Sequence, residues 1–327
     1  MFKSVKNFIR NNWQNCFHTD SDMNYTQFGF STAAASIVIG AFFVNVFEKY
    51  VPFIGEAFRY GKFGVTEKST LICNLLLDFP KSYFKHFYCV AVICFTYGLY
   101  QATNVYIFGN DVPQHIFNFL DAVTQEDRKS NITATSVYIA LCLMTLQVYR
   151  RFHDTHFVSV FGKNSRINII HYALGMLHYP GAAIALFSEA PKFSNNTVYA
   201  SNDINLLKLT VLDCLAIALF LWAWWHQYTT SKILADLRKN KNGEVITNEH
   251  KLPFGDWFEY LSSPPQVAEI LMYTSITLIL YKNTTWWYVY MWVIVNQVEC
   301  SLLSHWWYEK TFKNFPKNRK ALIPFIY

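Results

Sequence analysis

Apolar runs nearly free of charge recur along the chain, each close to the ~20 residues of helix that cross a bilayer core. The first occupies positions 28–47 (FGFSTAAASIVIGAFFVNVF). Others follow at 87–108, 130–149, 167–188 and 209–225; Arg150 and Arg151 close the third run, and the fifth holds Asp213. The last block breaks at "KNTT" into 270–281 and 286–303, which read as a helical hairpin. The pattern predicts an all-α integral membrane protein with about seven transmembrane helices, six being the alternative count. Trp and Tyr gather at several run ends (Trp222, Trp224, Trp225; Trp286, Trp287, Tyr288), as aromatic belts do at membrane–water interfaces. Positions 1–27 are too polar to supply the apolar stretch of a cleavable signal, so the first run is expected to act as an uncleaved anchor. Residues 28–327 then make one membrane-embedded unit.

Composition agrees with that reading. The 327 residues are 52% hydrophobic and only 15% charged, where soluble domains carry about 25% charged residues. Lys and Arg crowd into alternate loops: Lys49 to Lys85, Arg150 to Arg166, Lys232 to Lys251, and Lys310 to Lys320. The loops between hold fewer, among them Arg128, Lys129, Lys192 and Lys282. With seven alternating spans the rich segments share one side, which the positive-inside rule makes cytosolic. Lys3, Lys6 and Arg10 are a mild conflict. The N-x-S/T acceptors at Asn24, Asn131, Asn195 and Asn283 all fall on the opposite side, which lends weak support.

Several chemistries are not encouraged. The seven cysteines form no C-x-x-C pair and read as small buried hydrophobes. Among ten histidines only His153 and His156 are closely paired, too few for a membrane metal centre, so no metal is expected. There is no G-x-G-x-x-G after a strand and no Walker A loop, so a Rossmann domain is not supported and no nucleic-acid partner is expected. A nucleotide would have to be held by membrane helices and cytosolic loops. Arg238, Lys239 and Lys241 in "LADLRKNKNGEV" could meet phosphates, or could be ordinary positive-inside charges; Arg319 and Lys320 carry the same two readings. Asn296, Gln297 and Glu299 are costly inside an apolar run and mark a possible site. His305 and Tyr308, three apart, share a helical face.

Longer motifs narrow the choice. The tail "FPKNRKALIPFIY" (315–327) resembles the C-terminal signature of the steroid 5α-reductase family. "FRYGK" (58–62), "FPKSYFKHFY" (79–88), "RRFHDTHFVSVF" (150–161), "LRKNKNGEV", "LPFGDWFEYLSSP" and "SHWWY" resemble its polyprenol/polyprenal reductase branch, in order over about the last 270 residues. The reductase region proper is expected at about 150–327. The resemblance implies an NADPH-dependent oxidoreductase acting on CH–CH double bonds. Its reaction would turn polyprenal into dolichal within dolichol synthesis for protein N-glycosylation. The protein would be a multi-pass enzyme of the endoplasmic reticulum membrane, with its C-terminus and cofactor site cytosolic. It implies cofactor contacts at Arg238, Glu269, Tyr308 and Arg319, and an activity-linked histidine at His305. Some positions depart: a family Asn falls on Gln227, an Asp or His on Ser231, an Arg on Lys251 and another Asn on Pro265. Lys251 keeps the charge but loses the guanidinium fork.

An allylic alcohol has no group to accept negative charge, whereas an aldehyde turns the intermediate into an enolate that a donor can stabilise. His305 or Tyr308 is the candidate donor, with the choice between them open, and the polyprenyl chain would enter from the bilayer. A steroid or very-long-chain enoyl reductase shares this chemistry and the tail. A membrane adaptor is the reading without an enzyme. The ring-rich segment "KLPFGDWFEY" (251–260) is expected on the cytosolic face, at the cofactor mouth or the bilayer surface.

Overall fold

The computed structural model describes residues 23–47, 78–124, 128–162, 165–194, 196–197, 203–247, 249–324 and 326. Most of the polar segment 1–27, the "FRYGK" motif and Asn195 lie outside the described residues. The helices are α1 (Tyr25–Phe47), α2 (Phe84–Tyr106), α3 (Gln114–Val123), α4 (Ala134–His153), α5 (Ile169–Ser188), α6 (Val211–Asp236), α7 (Pro264–Ile279) and α8 (Thr284–Thr311). Apart from the ten-residue α3, each has 16 residues or more, and these long helices stand at the seven predicted positions. Two of them, α1 over Tyr25–Phe43 and α5 over Ile169–Ser188, are long and apolar enough to cross a membrane by length and composition.

Caps set the boundaries that apolar runs leave vague. Thr133 accepts a hydrogen bond from the Ser136 amide, so α4 begins at Ala134 and not at the predicted 130. Lys129–Ser130 (β2) instead pairs in parallel with Asn196–Thr197 (β4). Asp213, the acid inside the fifth apolar run, belongs to a capping box: Thr210 and Asp213 satisfy each other's backbone amides in the first turn of α6. Pro264 opens α7 six residues ahead of the predicted start, at a position where a missing N–H costs nothing. The helices α6 and α8 run well past their apolar runs, to Asp236 and Thr311.

Successive long helices alternate in direction. At one end of the bundle Thr26 bonds the Val123 carbonyl, Asn24 and Gln27 bond Thr285, Tyr106 bonds the Pro191 carbonyl, and Glu189 accepts from the Thr284 and Thr285 amides. Asn24 and Asn283, two of the N-x-S/T acceptors, are buried there; Asn283 caps α8 and donates to the Ala185 carbonyl. At the other end Asp78–Pro80 (β1) pairs antiparallel with Arg166–Asn168 (β3).

Packing runs α6 along α7, α2 along α4, and α8 along α1 and α7. Alanines at the contacts (Ala91, Ala102, Ala140, Ala182, Ala185, Ala223 and Ala268, all fully buried) let the backbones approach, as small residues do between membrane helices. The outward faces are also apolar: Ile93, Leu177, Leu215 and Trp225 are exposed. Helices apolar inside and outside suit a lipid surround rather than water.

Candidate active site

The segment 251–260 is bound to the body of the protein by the residues that looked unassigned. Gly255, at φ +93, takes a backbone shape that a Cβ would strain, and Asp256 follows at φ +48. His226 of α6 donates its Nδ1–H to Asp256 Oδ1 at 2.7 Å. Trp257 stacks on the same His226 ring, centroids 4.6 Å apart. Glu259 accepts from the Gly255 amide at 2.6 Å, closing the turn on itself. The tail adds a strand-like rung here: Ser262 N donates to the Lys320 carbonyl and Lys320 N to the Tyr260 carbonyl.

That rung carries Arg319 inward. Its guanidinium lies over the rings of Phe254 (5.0 Å) and Phe315 (5.7 Å). It is buried, and Nε, Nη1 and Nη2 have no hydrogen-bond partner among the described residues. Burial holds its pKa below the ordinary range, against the opposing pull of Glu259 and Tyr308. A buried cation without an acceptor is costly unless a ligand supplies one.

Beside it opens a polar cleft of about 350 Å³, lined by residues that include Lys81, Arg151, Ser231, Arg238, Lys251, Ser262 and Tyr308. Arg238 is anchored by donating to the Val160 carbonyl and to His250 Nδ1 (3.2 Å). Neighbouring Lys239 donates to the Val158 carbonyl at 3.1 Å, so the hairpin around Asn242 and Gly243 is fastened to the loop after α4. Burial lowers the pKa of both Lys81 and Arg238. A cleft walled by cations that are partly stripped of water, with an acceptor-less guanidinium next to it, fits a phosphate-bearing dinucleotide.

A second cavity, about 470 Å³, lies deeper among α1, α2, α5, α7 and α8, and is largely apolar with Ile37, Phe87, Leu174, Val293 and Trp292 in its wall. Phe84, Arg151, Pro265, Gln266 and Cys300 line both spaces, so these residues form a common partition. The polar part of the deeper wall includes Tyr88, His178, Gln227, Glu269, Asn296 and Gln297.

Behind the partition a buried polar network ties three helices. Gln147 of α4 donates to Gln227 Oε1 (2.9 Å) and to Glu269 Oε2 (3.0 Å). Gln227 of α6 donates to Glu269 Oε2 (2.6 Å) and to the Pro265 carbonyl (2.8 Å). Arg150 donates to Gln147, Gln227 and Asp154. Every polar atom of the Gln227 side chain is thereby engaged.

A family model described as 3-oxo-5-alpha-steroid 4-dehydrogenase matches residues 192–327. The chain is 38% identical to a polyprenal reductase of Drosophila melanogaster over 93% of its own length and 94% of that protein. It is 33% identical to the polyprenal reductase of Homo sapiens over 83% of its length and 85% of that protein. It is 38% identical to that of Xenopus tropicalis over 76% and 80%. The chain belongs to the steroid 5α-reductase family. Within that family it groups with the polyprenal reductases.

The residues expected from the family separate into groups in space. Arg238, Lys251 and Tyr308 meet in the polar cleft. Gln227 and Glu269 line the apolar cavity and belong to the network behind the partition. Arg319 lines neither space but sits behind Tyr308, with Phe315 between their faces. His305 also lines neither; it hydrogen-bonds Ser262 Oγ at 2.7 Å, reaching the cleft through that serine, and its Nε2 is 3.4 Å from Glu309. Pro265 contributes its carbonyl to fix Gln227. Sequence reasoning missed Gln147, Arg150, Arg151 and Tyr88. The arginine pair had been taken as the charged end of a span. Its partners Gln227 and Tyr88, distant in sequence, set it beside the two candidate chambers. In the paired "HDTH", Asp154 is taken up by Arg150 and His156 Nδ1 sits 2.8 Å from the Phe152 carbonyl oxygen.

Proposed function

We propose that this protein is an NADPH-dependent reductase that converts polyprenal to dolichal by saturating its α-isoprene double bond, in an endoplasmic reticulum membrane that its seven long helices cross. The observation that carries this reading is the apolar cavity separated by one thin partition from a cationic cleft. A lipid aldehyde and a charged, water-soluble cofactor need two such chambers meeting at one point. Arg238, Lys251, Lys81 and Tyr308 would hold the cofactor from the cleft, and Arg319 would meet its phosphates. Glu269, oriented by Gln147 and Gln227, would position the cofactor's reactive end at the partition. His305 would hold the cleft through Ser262. When bound, NADPH supplies hydride to the β-carbon of the enal. The chain's own task is to exclude water from the partition, align the enal from the apolar side and stabilise the charge that collects on its oxygen. The aldehyde makes that stabilisation possible, so polyprenol is not the form reduced.

The test uses the full chain purified in detergent with NADPH and either polyprenal or polyprenol. Saturated product is expected from the aldehyde alone. Saturation of polyprenol without an aldehyde intermediate would overturn the enal mechanism, and no product from either lipid would overturn the enzyme reading.

A further inference from the structure

The partition holds a donor that none of the expected site residues supplies. Arg151 donates from Nε (3.1 Å) and from Nη2 (2.9 Å) to one atom, the phenolic oxygen of Tyr88. Arg151 lines both chambers, and Tyr88 lines the apolar one. Two N–H groups occupy the acceptor side of that oxygen, and the phenol's own O–H has no acceptor among the described residues. A phenol that accepts two charge-assisted hydrogen bonds can only donate further, and the adjacent cation polarises its O–H.

We infer that Tyr88, polarised by Arg151, is the hydrogen-bond donor to the carbonyl oxygen of the enal held in the apolar cavity. The inference rests on the reading of the protein as an enal reductase. Other donors in the deeper wall are less suited. His178 is committed: Trp292 Nε1, which can only donate, points at His178 Nδ1 (3.2 Å), so the imidazole proton sits on Nε2 and is given to Tyr273 (2.8 Å). Tyr179 packs against the Tyr88 ring, centroids 5.5 Å apart, but no arginine donates to its oxygen. Tyr308, on the cleft side, lies across the partition from the lipid.

The electron count closes. Hydride adds to the β-carbon, the C=C pair shifts towards the carbonyl carbon, and the carbonyl π pair moves onto oxygen. Tyr88 donates its hydrogen bond to that anionic oxygen, and Arg151 balances the charge through the phenol. The pair returns to re-form C=O as the α-carbon takes a proton drawn from solvent after the hydride has been delivered. Tyr88 finishes as it began.

The experiment compares Tyr88→Phe, Arg151→Lys and Tyr179→Phe with the wild-type full chain. Readouts are kcat on polyprenal, NADPH affinity by fluorescence titration, and affinity for polyprenoic acid, whose carboxylate imitates the anionic oxygen. Loss of one oxyanion donor lowers kcat by about 100-fold or more, so Tyr88→Phe is expected to fall that far. Its NADPH affinity should stay within about twofold, showing that the fold is intact, and it should bind the carboxylate at least about tenfold more weakly. Arg151→Lys should fall between the two, and Tyr179→Phe should stay within about fivefold of wild type. Wild-type turnover combined with a Tyr88→Phe variant of unchanged kcat and unchanged carboxylate affinity would overturn the role of Tyr88 and leave the reductase reading standing. A wild type that reduces no enal would overturn the reading itself, and this role with it.

Discussion

Arg319 carries a charge that its own described surroundings leave without a hydrogen-bond acceptor. Its three nitrogens are enclosed without an acceptor, and the two rings that cover it cannot replace one. A buried charge without a partner destabilises a protein, and an apolar residue of similar volume is then neutral or stabilising in its place. Arg319→Met is therefore expected to leave the melting temperature of the cofactor-free protein unchanged or raise it, while weakening NADPH binding by about tenfold to 100-fold, the range of a lost charge-assisted contact of ~1.5–3 kcal/mol. A melt with and without NADPH, alongside a fluorescence titration, reads both. A large drop in the cofactor-free melting temperature would make Arg319 a structural residue. Charge alone left Arg319 and Arg238 ambiguous between topology marks and ligands. Burial and stacking on Phe254 and Phe315, which a count of basic residues does not register, set Arg319 apart from an ordinary surface charge. Gln227 is the opposite case. Its four hydrogen bonds go to Gln147, Arg150, Pro265 and Glu269, so its structural part is explicit whatever it does for a cofactor. Gln227→Met keeps the length and removes every one of them. It should cost several kcal/mol of stability, since each buried partner left unsatisfied costs ~1–3 kcal/mol, and a detergent melt that is unchanged would deny the network its structural weight.

Helices were legible as apolar runs, but their ends and their closest contacts were not. The extra turns of α8 carry Tyr308 beyond the apolar stretch and into the cleft, and those of α6 end at Asp236, two residues before Arg238; hydropathy alone does not mark these extensions, although the spacing of His305 and Tyr308 reads as helical. Close contacts are hidden in the same way. A Cβ added to Gly175 of α5 would lie 2.6 Å from the Phe87 ring of α2, and both residues line the apolar cavity. A Cβ on Gly29 of α1 would meet nothing within 4 Å. Both glycines look alike in sequence, each set in an apolar helix. Gly175→Ala must push the Phe87 ring or spread α2 from α5, and interiors accommodate such overpacking at ~1–3 kcal/mol. The expected result is a raised KM for polyprenal with NADPH affinity retained, because only the apolar chamber is reshaped. Gly29→Ala should match wild type in both. Steady-state kinetics on the pair decides it, and equal behaviour of the two variants would show that the α2–α5 contact does not shape the lipid site.

At the scale of the whole molecule, charge and cavity point the same way. The basic residues Lys81, Arg151, Arg238 and Lys251 all line the polar cleft, whereas Asn24, Glu189 and Asn283 sit at the far end of the bundle. The loop count of the sequence assigns that side to the cytosol, and the alternation of the long helices brings the basic ends together. The seven runs did not foresee α3, whose ten residues pack at the opposite end near the start of α1, because it is too short to register as a span. If the cleft faces the cytosol, NADPH added outside sealed microsomes must reach it without crossing the membrane. The rate of polyprenal reduction in sealed vesicles should then equal the rate after detergent opening, to within about twofold. A rate that rises many-fold on opening would place the cleft in the lumen and reverse the orientation. The same assay probes the lipid side, because polyprenal is supplied within the bilayer in both arms and only cofactor access differs. Equal rates would therefore mean that NADPH reaches the cleft from water on the outer side, and a lipid entering from the bilayer would meet it at the partition formed by Phe84, Arg151, Pro265, Gln266 and Cys300.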